Sequence, residues 1–475
     1  MKNKAIIYIF ILALLSACEP NLSEDFEASK GTADFSTYVA LGNSLTAGYA
    51  DGALYRSAQE NSFPAILANQ FATAGGGEFR QPIINTEEGV GIQSTPLGPY
   101  FVTKRVLGLV EVTDCQGTPT GEMALQPVLA NPAADQQTLQ QYLFSPPPAS
   151  GPYNNMGVPG ALVQHLLFDQ YGNPNAIAPN GMPLFNPYFV RFASSPDASV
   201  MDDAIAQDPT FFTLWIGGND ILSSALAGTD TLMTPPQVFE AVYGAIIQTL
   251  MGFRPDSPPK GVLANIPDIL SIPYFTTISQ SLPYNGLVLT QEQAIAMTGI
   301  YHAYGYTNIG FQAGPNPFII QKSDGSLGPM QEGDIFLLSL PTKELQCAGL
   351  GSVNLADTSL NPIPDKYVLE LSEQQNIRNS TEAYNTSIAA FASQNGLALL
   401  DVNTLMKEFE TGMVFDGVTY STTFVQGGLF SLDGVHLNGQ GNAILANYFI
   451  EKINETYNAN VPEVVVGNYP GIEFP

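Results

Sequence analysis

Ser44 stands in Gly42-Asn43-Ser44-Leu45-Thr46, directly after a short β-prone run at 37–41. A serine hydroxyl is a poor nucleophile until a base takes its proton, so a reactive serine needs a histidine. The chain holds three histidines, His165, His302 and His436. His436 lies in Asp433-Gly434-Val435-His436, and this spacing lets Asp433 accept from one ring nitrogen while the other faces Ser44. Such a carboxylate sets the imidazole tautomer and stabilises the imidazolium that forms.

An acyl-transfer site also needs donors for the developing oxyanion. The Ser44 N–H is one candidate. The Gly160 N–H, in Asn155-Met156-Gly157-Val158-Pro159-Gly160, is a second, and the side-chain amide of Asn219, in Gly217-Gly218-Asn219-Asp220, is a third. Read singly, these residues have plainer roles. Ser44 is an N-cap, Gly157 and Gly160 are turn glycines with positive φ, and Asn219 and Asp220 cap a helix. Their order along the chain, each block after a predicted strand or before a predicted helix, favours one shared site.

The elements that must position these residues alternate. Short strands are expected at 37–41, 211–216, 261–266, 334–340 and 397–400. The run Phe-Phe-Thr-Leu-Trp-Ile at 211–216 is continuously apolar, as in a strand buried on both faces. Thr234-Pro235 reads as the N-cap and first turn of a helix carrying Val238, Val242, Ile246 and Leu250. A helix is also expected to start at Ala161-Leu162-Val163, with His165 on its boundary. Ser372 and Gln375 have capping-box spacing before a long helix that ends at Gly396, and a last helix begins near Asn438. Strands alternating with helices imply an α/β protein with a central parallel sheet. Two stretches interrupt the pattern, about 75–150 and 271–332, and are expected as large loop insertions in a single domain over 35–460, with a tail at 461–475.

These four blocks, in this order, resemble the SGNH (GDSL-type) hydrolases. The resemblance covers residues 42–436 and implies a three-layer α/β/α sandwich, flavodoxin-like, that hydrolyses carboxylic esters as an esterase or lipase without a cofactor. Carried over, Ser44 is the nucleophile, His436 the base, Asp433 its orienting carboxylate, and Ser44, Gly160 and Asn219 form the oxyanion hole. The family usually has Asp where this chain has Asn43, a change that keeps neutral hydrogen bonds but removes a negative charge beside the nucleophile. Lipid or short-chain acyl esters and O-acetylated glycans are the expected substrates. The alternative is a catalytically silent surface lipoprotein that binds a glycan or protein partner on the same scaffold, which gives no reason for Ser, Asp and His in register.

Composition narrows the partners. The 475 residues carry 43 acidic and 16 basic side chains, a net charge of −27 and a pI near 4.2. Nucleic-acid binding needs a basic footprint, so that class is excluded. Lys2 and Lys4 precede an apolar run at 5–15, shorter than the roughly 20 residues a spanning helix requires, so residues 1–17 read as a signal peptide. Leu15-Ser16-Ala17-Cys18 resembles a bacterial lipobox, which implies lipidation of Cys18, a membrane anchor without a span, and an acidic tether over 18–34. The expected location is the cell envelope, at the outer membrane, with the face left open. Cys115 and Cys347 either pair or remain free thiols. His302 sits among Tyr301, Tyr304 and Tyr306, an aromatic group expected to pack a long loop. Neither His-Glu-x-x-His nor an EF-hand loop occurs, so no metal is expected.

Overall fold

The computed structural model describes residues 27–95, 98–354 and 356–475. The signal segment and Cys18 lie outside the described residues. Five strands form the central sheet: β1 (Tyr38–Gly42), β2 (Asn155–Gly157), β3 (Phe211–Trp215), β4 (Lys260–Ala264) and β5 (Ala398–Leu400). All pair in parallel, in the spatial order β2-β1-β3-β4-β5. β1 and β3 run flush from Tyr38 opposite Phe211 to Gly42 opposite Trp215. β3 is buried along its whole length, as its apolar run predicts, and its one polar side chain, Thr213, meets the Tyr38 hydroxyl at 2.8 Å. The chain leaves β1 toward β2 on one side and returns to β3 on the other. Open parallel sheets bind ligands at such a reversal, beyond the carboxyl ends of the strands.

The main helices are α1 (Phe63–Thr73), α2 (Asn219–Leu226), α3 (Pro236–Gly252), α4 (Leu371–Asn395) and α5 (Gly439–Tyr457). α1 packs on α5 with Phe63 stacked on Phe449, ring centroids 4.9 Å apart. α3 packs on α4 through Phe239 and Tyr384, whose rings stack at 3.9 Å. Two helix starts differ from expectation. α4 is capped at Glu370, not at Ser372 with Gln375: the Glu373 carboxylate reaches back to accept from the Glu370 N–H at 2.9 Å. The N-cap of α3 is Pro235, not Thr234, because the Thr234 hydroxyl instead donates to Asp220 Oδ1 at 2.7 Å.

The interruptions are structured. The first carries the hairpin Gly91–Thr95 with Gly98–Val102, the longer hairpin Arg105–Thr113 with Pro119–Leu129, and the helix Gln136–Phe144. The second runs past 332 to about 369, because Phe318, Ile320, Phe336, Leu340, Ile363 and Val368 bury one another in a core of their own. The strand expected at 334–340 shrinks to Ile335–Phe336. It pairs antiparallel with Val368–Leu369 in this second core and takes no place in the main sheet. Residues 27–34 are not a free tether: Ser29 bridges Asn460, the Thr32 N–H donates to the Tyr457 carbonyl, and Ala33 is buried. The segment 461–475 folds back along α5, with Val461 and Val466 buried.

Cys115 and Cys347 form a disulfide across 232 residues of sequence. It clamps the tip of the 105–129 hairpin to the helix Thr342–Cys347, where Lys343 also meets the Thr113 hydroxyl. A crosslink over so long a loop restricts the unfolded chain strongly. Replacing both cysteines by serine should therefore lower stability by about 2–4 kcal/mol, read as an earlier denaturant midpoint that matches wild type in reductant.

Candidate active site

The turn after β1 presents Ser44 at the start of a one-turn helix, Ser44–Ala47. Asn43 caps it, its Oδ1 accepting from the Leu45 N–H at 3.0 Å. The helix therefore uses no acceptor for the Ser44 N–H. The turn lies hard against β2: a Cβ on Gly157 would sit 2.3 Å from the Ala47 nitrogen. Only glycine permits that approach.

Ser44 Oγ lies 2.8 Å from His436 Nε2, and His436 Nδ1 lies 2.9 Å from Asp433 Oδ2. Two residues 392 positions apart thus share a hydrogen bond. Asp433 Oδ1 accepts from the Val435 N–H at 2.9 Å and the His436 N–H at 2.8 Å, and Oδ2 accepts from the Gly52 N–H at 2.8 Å. Burial alone would raise this carboxyl, but the adjacent His436 ring and the N–H donors hold it well below the usual carboxylate range. An ionised Asp433 assigns the proton to Nδ1, which leaves the Nε2 lone pair to accept from the Ser44 hydroxyl.

Sequence reasoning missed the support behind this pair. The hairpin Tyr49–Ala50 with Ala53–Leu54 turns at Asp51-Gly52, whose φ values of +55° and +77° suit a type I′ turn. Asp51 accepts from the Leu432 N–H at 2.8 Å, and its own N–H donates to Ser431 Oγ at 2.9 Å. The Tyr49 ring lies against the imidazole, centroids 4.9 Å apart. The Asp-Gly dipeptide between short apolar pairs was the available signal for the hairpin. Nothing in the sequence linked it to residues 431–436.

The residues of the three proposed donors, Ser44, Gly160 and Asn219, line the same cleft as Asp433 and His436. Gly160 takes φ +79°, and its N–H, like that of Ser44, has no acceptor among the described residues. Asn219 opens α2 and donates one amide hydrogen to the Ala161 carbonyl at 3.0 Å, and the second has no acceptor among the described residues. Asp220 joins the same two loops, accepting from the Val163 N–H at 2.9 Å. The helix expected from Ala161 is only the 3₁₀ turn Val163–Leu167. Within it His165 Nδ1 accepts from the Leu162 N–H at 3.1 Å, and burial lowers its pKa to about 4, so it is structural. His302 ends the helix Gln291–Ala303, outside this site, while Tyr301 packs against Tyr306 and Phe311.

Ser44, Gly160, Asn219, Asp433 and His436 line one open cleft of about 610 Å³, with Ile92, Tyr188, Leu222 and Tyr274 on its walls. The arrangement can deprotonate a hydroxyl, hold the resulting cation and receive an oxyanion. No family model and no curated protein matches the chain.

The buried Asp220 yields a pH test. Burial pushes its carboxyl up to about 6 despite the Thr234 and Val163 bonds. Its folded pKa is above its unfolded one, so its contribution is intact below about pH 4 and lost as pH rises through about 6. Asp220→Asn should remove this step: relative to the variant, wild type should lose about 2 kcal/mol between pH 4 and pH 7, measured by denaturant unfolding.

Proposed function

We propose that the protein is a serine hydrolase that cleaves carboxylic esters through an acyl-enzyme, on a three-layer SGNH-type scaffold. The observation that carries this reading is the hydrogen-bonded chain from Ser44 Oγ through His436 to Asp433, at 2.8 and 2.9 Å, at the reversal point of a parallel sheet. The packing of α1 with α5 and of α3 with α4 supports two helical layers around that sheet.

In this mechanism Ser44 Oγ attacks the acyl carbonyl carbon as His436 Nε2 takes the hydroxyl proton. The tetrahedral oxyanion is held by the N–H groups of Ser44 and Gly160 and the second amide hydrogen of Asn219. His436 returns the proton to the departing alcohol, and the C–O bond breaks. Water, deprotonated by the same nitrogen, then releases the acid and restores Ser44. The Cys115–Cys347 disulfide supports an oxidising compartment, in keeping with export and a lipid anchor at Cys18. The open cleft with Tyr274 on its wall favours acyl groups on carbohydrate over long-chain lipids.

Turnover of p-nitrophenyl acetate and butyrate tests the reading. Ser44→Ala should abolish it, and Asn219→Ala should lower kcat on the order of 10²–10³-fold with KM little changed. Equal rates in wild type and Ser44→Ala would rule the assignment out. Acetate release from acetylated xylan, set against hydrolysis of long-chain acyl esters, separates the substrate classes.

A further inference from the structure

Three carboxylates converge at the start of α4, remote in sequence from every residue of the cleft. Ligand oxygens of Asp365, Glu370 and Glu373 all lie within 4.8 Å of one another. Local structure explains part of the group. Glu373 Oε2 accepts from the Glu370 N–H at 2.9 Å in the capping box, and Glu370 Oε1 accepts from the Ser323 N–H and hydroxyl, both at 2.9 Å. One oxygen of each glutamate is thereby used.

The remaining oxygens have no such account. Glu373 is only 2% exposed, yet its Oε1 has no hydrogen-bond partner among the described residues. The Asp365 carboxylate accepts no hydrogen bond, and none of the three carboxylates forms an ion pair with a basic residue among the described residues. Asp230 adds a fourth negative charge nearby, while its Oδ2 accepts from Asn376 at 2.6 Å. A buried carboxylate with one oxygen unsatisfied and no counter-charge is disfavoured, so something must neutralise it. A shared proton or a cation are the two physical choices.

We infer that Asp365, Glu370 and Glu373 form a binding site for a hard divalent cation, calcium in preference to magnesium. The donor set is all oxygen, which suits a hard ion. Calcium takes roughly 6–8 oxygen ligands in flexible geometry, which carboxylates from two elements can supply, whereas magnesium demands near-ideal octahedral geometry. Asp365 begins a short 3₁₀ turn, Asp365–Tyr367, whose backbone can adjust to the irregular coordination that calcium accepts. The site joins the last turn of the second insertion to the first turn of α4. The loop behind α2 packs on the same turn: a Cβ on Gly228 would lie 2.7 Å from Lys366 Cα. The sequence shows no linear calcium motif because the ligands come from two elements and a capping box. The inference is independent of the hydrolase reading.

The test uses the full chain, stripped with EDTA and held at pH 8. Calorimetric titration with CaCl₂ should show one saturable site with Kd on the order of 10⁻⁴ M or tighter. At 5 mM CaCl₂ the Tm should rise by about 2–5 °C beyond a NaCl control of equal ionic strength, and MgCl₂ should give a smaller rise. The NaCl control is essential, because any salt screens a net charge of −27. Asp365→Asn and Glu373→Gln should each lose at least tenfold in calcium affinity together with the Tm increment. Should Glu373→Gln not fold, Asp365→Asn decides alone. Absence of saturable binding, or a calcium effect undiminished in Asp365→Asn, overturns the site. So does a wild type indifferent to calcium in which Glu373→Gln raises Tm, since a shared proton then does the neutralising.

Discussion

The geometry at Ser44 depends on how one buried carboxylate is satisfied. Asp433 accepts from the N–H groups of Gly52, Val435 and His436 as well as from the His436 ring. These bonds keep it ionised inside the protein, where an unpaired carboxylate would take up a proton. An ionised Asp433 fixes the imidazole tautomer and its direction. Protonation would remove the acceptor for Nδ1 and free the ring to turn away from Ser44. The hairpin at 49–54 matters for this reason: it supplies the Gly52 donor and ties down Leu432 through Asp51.

The second requirement is that three loops arrive at one point. The parallel sheet meets it by placing the carboxyl ends of β1, β2 and β3 side by side, so that Ser44, Gly160 and Asn219 follow adjacent strands. The loops are then bound to each other: Asn219 to Ala161, and Asp220 to Val163. Asp220 is costly when ionised, and its bond to Val163 ties together the loops that carry Gly160 and Asn219.

Much of this was legible in the sequence. Apolar runs such as 211–216 mark strands buried on both faces, because no amphipathic alternative accommodates them, and Gly160 has the expected positive φ, whereas Gly157, expected as a second turn glycine, is a strand residue whose missing Cβ admits the turn at Ala47. The Asp433–His436 spacing is local enough to predict their hydrogen bond. Less legible were features set by long-range packing. The disulfide depended on where a hairpin tip would land, and the second insertion outran 332 because its short apolar segments bury one another rather than the main sheet. The shift of the α4 cap from Ser372 to Glu370 reflects glutamates serving as caps, a role that residue preference alone assigns to serine. The Asp365, Glu370 and Glu373 cluster was invisible for the same reason as the disulfide: no linear spacing announces it.

The central claim is that His436 makes Ser44 nucleophilic, and active-site-directed phosphonylation tests it most directly. The intact protein is treated with a fluorophosphonate and the modified peptide is mapped by mass spectrometry. The account predicts a single adduct on the peptide containing Ser44, formed rapidly in wild type and lost or slowed by at least about a thousandfold in His436→Ala. An adduct on another residue, or a Ser44 adduct that forms as fast without His436, would contradict it.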